Sequence, residues 1–277
     1  MGAAVLRLDA DDVWSALDSV DTVALLAEEL IGRAIGHPDA ARENGGRLVD
    51  WTEGYVVFEP SAGDARTAMP AASLRVFESA SLCALAAREL VIPGGVTVAV
   101  IGTLADVQPR LALVARHVPD IAHVAVCLTG DDDRHELDRR LVDLLDLSGI
   151  RLTVATTLAD SVFGANLVIA ASRGALPEDL GSARLVRGAV LVNATGAALP
   201  TALTSTADQV YADDRAHAGE HVTAELGVLL TGGHPGREQD DDVVLVELLR
   251  ADGLNVQLAH KIHEAALRRG LGVRVTA

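Results

Sequence analysis

Residues 98–111, VAVIGTLADVQPRL, begin like a nucleotide-binding strand and turn. A run of small and β-branched residues ends at Gly102, and a helical pattern follows. In a dinucleotide fingerprint, glycines let the backbone approach a pyrophosphate, and bare N–H groups at a helix start bind it. That spacing asks for glycine at 104 and glycine or alanine at 107, where this chain has Leu104 and Val107. Leu104 puts a side chain where close approach is needed. Pro109 belongs in a first helical turn, because further inside it removes a backbone hydrogen bond. The helix is therefore expected to start near Asp106, an N-cap whose carboxylate satisfies the N–H groups and brings negative charge to the phosphate position. The next strand should end in an acid for a ribose hydroxyl, or be followed by an arginine for a 2′-phosphate. Leu128 and Thr129 stand there, followed by the run 130–133 (GDDD). These concordant changes on one rim predict lost or greatly weakened NAD(P) binding. The surviving backbone N–H groups of Gly102 and Thr103 leave a variant cofactor pose open.

Other candidate chemistry is sparse. His217/His221 and His260/His263 have helical spacing and could each hold zinc, but neither pair has an evident third ligand, so both read as solvated faces. There is no Gly-x-Ser-x-Gly elbow, no Walker loop, and no cysteine beside an acid–base partner. Cys83 and Cys127 sit in apolar stretches and read as buried thiols of a reducing cytoplasm. A formal charge of −16 repels phosphate backbones and anionic membranes, which argues against nucleic acid as a partner. No basic-then-apolar leader and no bilayer-length apolar run is evident, so the chain is expected to be cytoplasmic.

The elements that position these residues follow from periodicity. Residues 11–35 show helical spacing with Asp near the helix starts, 37–47 read as a loop, 55–59 as a strand, and 78–91 as an Ala/Leu helix. The break at 93–95 (PGG) is the first expected domain boundary. Strands are then expected at 96–101, 123–128, 151–155, 167–171, 189–193 and 209–212, with helices between several of them, such as 134–147. Strands this apolar on both faces, alternating with helices, argue for a parallel doubly wound sheet. The alternation stops near 214. Residues 217–230 look helical, 243–249 read as a strand or buried helix, and 255–269 as a helix.

Four stretches in this order resemble the ornithine cyclodeaminase/μ-crystallin family, which includes alanine dehydrogenases and imine reductases. Residues 58–63 (FEPSAG) are similar to its F-D-P-x-T-G hairpin, and 78–88 (ESASLCALAAR) to its R-T-A-A-x-S-A-L-A-A-R helix. Residues 165–170 (ANLVIA) resemble A-D-I-V-V-T, and 233–240 (GHPGREQD) resemble the G-x-x-P-G-R turn. The resemblance runs from about residue 10 to the C-terminus. It implies an α/β fold: a Rossmann-like domain over 93–216, and a split α+β dimerisation and substrate domain built from 1–92 and 217–277. It further implies a homodimer, or a heterodimer with a paralogue. NAD(P) is the implied cofactor, with Gly102, Thr103, Leu104, Ser172, Thr195 and Gly196 along its rim.

The same resemblance marks what has changed. The chain is shorter than typical members, and the shortfall falls in 36–55, where the family carries a substrate arginine and lysine; the sole lysine, Lys261, lies far away. The carboxylate-gripping arginine of R-T-A-A corresponds to Glu78, and the threonine three residues before it to Arg75. One helical turn would let Arg75 and Glu78 form an ion pair, or the two form a redesigned catalytic site. The family's catalytic aspartate corresponds to Ala198, whose methyl group cannot move a proton. Asp213, Asp214 and His217 are replacement candidates by nearness in sequence, with solvated loop residues as the plainer reading. Two functions follow: a repurposed biosynthetic enzyme acting on an amino- or imino-acid-type small molecule, or a non-catalytic member serving as a dimer partner or binding module.

Overall fold

The computed structural model describes residues 4–36, 46–52, 54–63, 65–130, 136–172, 185–197, 199, 201–205, 207–215, 221–249 and 255–276. The chain divides into two compact units, one of Met1–Glu78 with Asp252–Ala277 and one of Ser79–Ala251.

In the first unit, five strands run in the order β13-β1-β4-β3-β2. They are β1 (Ala4–Arg7), β2 (Gly46–Thr52), β3 (Tyr55–Pro60), β4 (Arg66–Pro70) and β13 (Val273–Thr276). β1 and β13 pair antiparallel, which joins the two chain ends in one sheet. Three helices are started by side-chain caps: Asp9 for α1 (Ala10–Leu17), Asp21 for α2 (Thr22–Ala34) and Asn255 for α9 (Val256–Arg269). Gly270 ends α9 in the left-handed conformation. Strand alternation sends Val56, Phe58 and Met69 into a core with Leu8, Val13, Leu74 and Ile262. On the opposite face Val5, Val57 and Ala68 form a smaller cluster.

The second unit is an eight-stranded sheet in the order β11-β10-β12-β9-β8-β5-β6-β7, parallel at every pairing. Its strands are β5 (Val96–Gly102), β6 (Ile121–Leu128), β7 (Arg151–Val154), β8 (Leu167–Ala170), β9 (Val190–Asn193), β10 (Gln209–Ala212), β11 (Ala224–Glu225) and β12 (Val244–Glu247). The helices are α4 (Leu104–His117), α5 (Arg139–Leu147), α6 (Leu158–Val162), α7 (Thr201–Thr204) and α8 (Leu226–Leu230), together with the later part of α3 (Ala71–Leu90). Every residue of β8, β9, β10 and β12 is buried, as in a parallel sheet covered on both faces.

The six strands expected between 96 and 212 are present, but the ends of this unit differ from expectation. β12 inserts between β9 and β10, so the sheet continues past residue 216. The units divide at 78/79 and 251/252 rather than near 93 and 216, and residues 93–95 are a helix-to-strand turn. Within 217–230, the described part is β11 followed by α8, a strand where a helix was expected. Helix α3 begins seven residues before the expected 78.

Candidate functional site

From β5 the chain winds outward through β6 and β7, and from β8 it winds the other way, so the carboxyl ends of β5 and β8 flank the topological switch point where such sheets bind ligands. Gly102 and Ser172 meet there. A Cβ on Gly102 would stand 2.6 Å from Ser172 Oγ, so only glycine fits that approach. The Thr103 N–H donates to Ser172 Oγ at 2.8 Å. The Ser172 hydroxyl donates to Asp106 Oδ2 at 2.6 Å, and the Thr103 hydroxyl to the same oxygen at 2.9 Å. Beneath them lies Arg110, only 3% exposed, with Nη1 3.5 Å from Asp106 Oδ1. Its guanidinium also donates to the carbonyls of Asp106 and Ala194 and to Ser79 Oγ.

Asp106 is therefore not the N-cap expected from the sequence. Thr103 is, in extended conformation, and α4 starts at Leu104 with no side-chain cap. Pro109 lies in the second turn, where its missing N–H leaves the Ala105 carbonyl without its helical donor. The early start follows from Gly102 and Thr103, which turn the chain directly from strand to helix.

Tested against a dinucleotide, this arrangement gives opposing signs. Gly102 and the uncapped first turn of α4 suit a pyrophosphate. The Asp106 carboxylate in that same turn, fixed by two hydroxyls, opposes one, and Leu128 offers no acceptor for a ribose hydroxyl. The residues present do not fit a tightly held NAD(P). Of the remaining rim positions, Thr195 is tied to Asn193, accepting from the Ala197 N–H and donating to Asn193 Oδ1, while Gly196 holds the left-handed turn. The acidic run 131–133 lies outside the described residues.

A second polar cluster stands at the carboxyl ends of β12 and β10. Glu247, 1% exposed, has Oε2 3.1 Å from His221 Nε2, and its Oε1 accepts from the Leu199 N–H at 3.3 Å. His221 is half-exposed, and Nδ1 is the ring nitrogen not tied to Glu247. Asp213, also buried, accepts from the Leu249 N–H at 3.0 Å. Glu247 escaped the sequence reading, although an acid interrupting the apolar run 243–249 was its signal. Ala198 and His217 lie outside the described residues.

In the first unit, the expected ion pair between Arg75 and Glu78 does not form. Arg75 is exposed while Glu78 is buried. Of the His260/His263 pair, His263 is buried, its Nδ1 2.7 Å from Thr67 Oγ1, while His260 is part-exposed beside Glu264; the Phe58 ring lies 5.4 Å from His260 and 5.3 Å from His263. No group of three or more metal-ligating side chains stands together among the described residues, and no described helix is long and apolar enough to cross a membrane.

No protein-family model and no curated protein matches the sequence. Solved structures match along nearly the whole chain. CmnK is 19% identical, with 99% of this chain and 98% of that chain covered and a TM-score of 0.72. The Thermococcus litoralis Δ1-pyrroline-2-carboxylate reductase, solved with NADH and L-proline, is 12% identical, with 98% and 100% covered and a TM-score of 0.71. A probable ornithine cyclodeaminase from Bordetella pertussis Tohama I is 17% identical, with 97% and 99% covered and a TM-score of 0.65. At these identities the likeness is one of fold: this chain has the fold seen in solved amino-acid cyclodeaminases and imine reductases.

Proposed function

We propose that the protein is a repurposed biosynthetic enzyme of this fold, acting on an amino- or imino-acid-type small molecule, with its NAD(P) and acid–base positions replaced. The observation that carries the reading is the Glu247–His221 pair. A carboxylate this deeply buried is costly unless paired. Here it sits at the carboxyl end of β12, on the same rim of the sheet as the β5/β8 switch point. Glu247 orients the imidazole through Nε2, and Nδ1 is left to accept or return a proton. The similar reductase and cyclodeaminase support the substrate class. NADH or NADPH, where bound, would supply hydride chemistry; this chain's residues hold it weakly.

The test is turnover of Δ1-pyrroline-2-carboxylate and of other amino and imino acids with millimolar NADH, NADPH, NAD or NADP. Turnover that falls about 10²–10⁴-fold in His221→Gln supports the assignment. Turnover unchanged in that variant overturns it. Ornithine is expected not to be cyclised to proline, because Glu78 replaces the carboxylate-binding arginine. Cyclisation at an ordinary enzyme rate would undo that residue matching.

A second reading, a non-catalytic dimer partner or binding module, is favoured by the Asp106–Ser172–Thr103 network, whose polar groups satisfy one another. Absence of turnover for every compound in the screen selects it.

A further inference from the structure

The Glu247–His221 contact is made across a strand. β10 lies between β11 and β12; His221 precedes β11 and Glu247 is the last residue of β12, so the two side chains meet from opposite neighbours of β10. What fixes the ends of these strands therefore fixes the contact. The parallel ladder between β10 and β12 ends at the pair Ala212 and Glu247. Just beyond it, the Asp213 N–H donates to the Glu247 carbonyl at 3.2 Å. In a continued parallel ladder the Asp213 carbonyl would next accept from the Leu249 N–H. The Asp213 carboxylate takes that place instead, with Oδ1 3.0 Å from the Leu249 nitrogen. On the other flank of β12 the Leu248 N–H donates to the Asn193 carbonyl at 2.9 Å. Toward β11, Glu225 Oε1 accepts from the Arg215 N–H at 2.9 Å. Asp213 is 5% exposed, so its oxygen meets its donor largely shielded from bulk water.

Building on the catalytic reading of this pair, we propose that Asp213 is its positioning residue: the Asp213 carboxylate sets the backbone of 247–249 and so aims Glu247 at His221. It acts by where its oxygen stands and not by its charge. A buried acceptor spliced into a backbone ladder has a fixed reach. One added methylene must move the 247–249 backbone or break the hydrogen bond. An amide in place of the carboxylate keeps an acceptor oxygen at the same reach. Position and charge thus give opposite expectations for Asp213→Asn and Asp213→Glu.

The experiment records ring 15N–1H correlation spectra of the intact protein labelled in its 9 histidines. The His221 signal is assigned by its loss in His221→Gln, and Glu247→Gln gives its position without the carboxylate partner. Asp213→Ala and Asp213→Glu should move the signal toward that position. Asp213→Asn should leave it close to the original, and the buried His263 of the other unit, a check on folding, should not move in any variant. The reverse pattern, with Glu unmoved and Asn displaced, would overturn positioning in favour of charge. A signal unmoved in both Asp213→Ala and Asp213→Glu would overturn the role outright. Where Asp213→Ala fails to fold, the Asn and Glu variants still decide. Turnover is a separate arm. On a substrate from the screen, Asp213→Ala and Asp213→Glu should lower kcat about ten- to a hundredfold with KM little changed, and Asp213→Asn should retain most of it. The expected spectra in a protein without turnover remove the catalytic reading alone, and unmoved spectra in an active enzyme remove the role of Asp213 alone.

Discussion

Replacing Arg237 by methionine should cost the parallel-sheet unit about 2–4 kcal/mol. The guanidinium reaches three carbonyls from separate parts of the unit: Leu90 at the end of α3, Gly188 before β9, and Asp242 before β12. Two of its donors share Leu90 at 3.2 Å each, and another stands 3.0 Å from Gly188. A hydrogen bond to a charged group contributes about 1.5–3 kcal/mol. Three acceptors would give roughly twice the stated cost, but Arg237 is only half-buried and water can reach some of the vacated carbonyls, so we take about half. Burial lowers the Arg237 pKa, against the opposing pull of Asp242 and Asp240, and the group remains charged at neutral pH. Arg237→Lys should recover little, because an ammonium cannot span three carbonyls in the plane of a fork. The assay is urea unfolding followed by thiol labelling. Cys83 and Cys127 both lie buried in this unit, and burial raises the Cys83 pKa to about 11, so labelling reports its opening. A loss under about 0.5 kcal/mol, below the range for any single charged hydrogen bond, would refute the clamp.

NADH and NADPH should bind no tighter than about millimolar, and Leu104→Gly with Asp106→Ala and Leu128→Asp should gain affinity, since each restored contact is worth about 1.4 kcal/mol or more, or tenfold; micromolar binding by the unaltered protein, measured by calorimetry, would refute this. Burial first, then His260, lowers the His263 pKa against a smaller opposing effect of Glu264, so the unfolded chain takes up the proton more readily and stability, full above about pH 6.5, falls as pH drops through the lower folded value. His263→Gln should flatten that fall in thermal melts, and an unchanged slope would exclude His263 as its source. The protein should be a dimer through its first and last segments, where Val273 on the edge strand β13 is 69% exposed; light scattering at micromolar concentration giving a mass near 28.8 kDa would sink this.

The sequence by itself determined the parallel core, because strands apolar on both faces and alternating with helices suit a sheet covered on both sides, and the six strands expected between 96 and 212 are there. Periodicity also located the Ala/Leu helix and the helix near the C-terminus. It could not set helix starts: Pro109 argued for a later start of α4, yet the turn at Gly102 and Thr103 outweighed one lost hydrogen bond. The residues 233–240 drew notice as a motif, but only the fold shows their work, with Arg237 gripping distant carbonyls and His234 Nδ1 meeting the Tyr211 hydroxyl at 3.2 Å. The candidate site divided in the same way. Gly102, Ser172 and Asp106 could be named from the chain, whereas the hydroxyls that lock Asp106 come from residues 103 and 172, which only the pairing of β5 with β8 brings together. Glu247 and His221 lie 26 residues apart and belong to no local pattern. Periodicity reports which face of an element is apolar, while a carboxylate's partner is chosen by strand order, and here the insertion of β12 between β9 and β10 decided it.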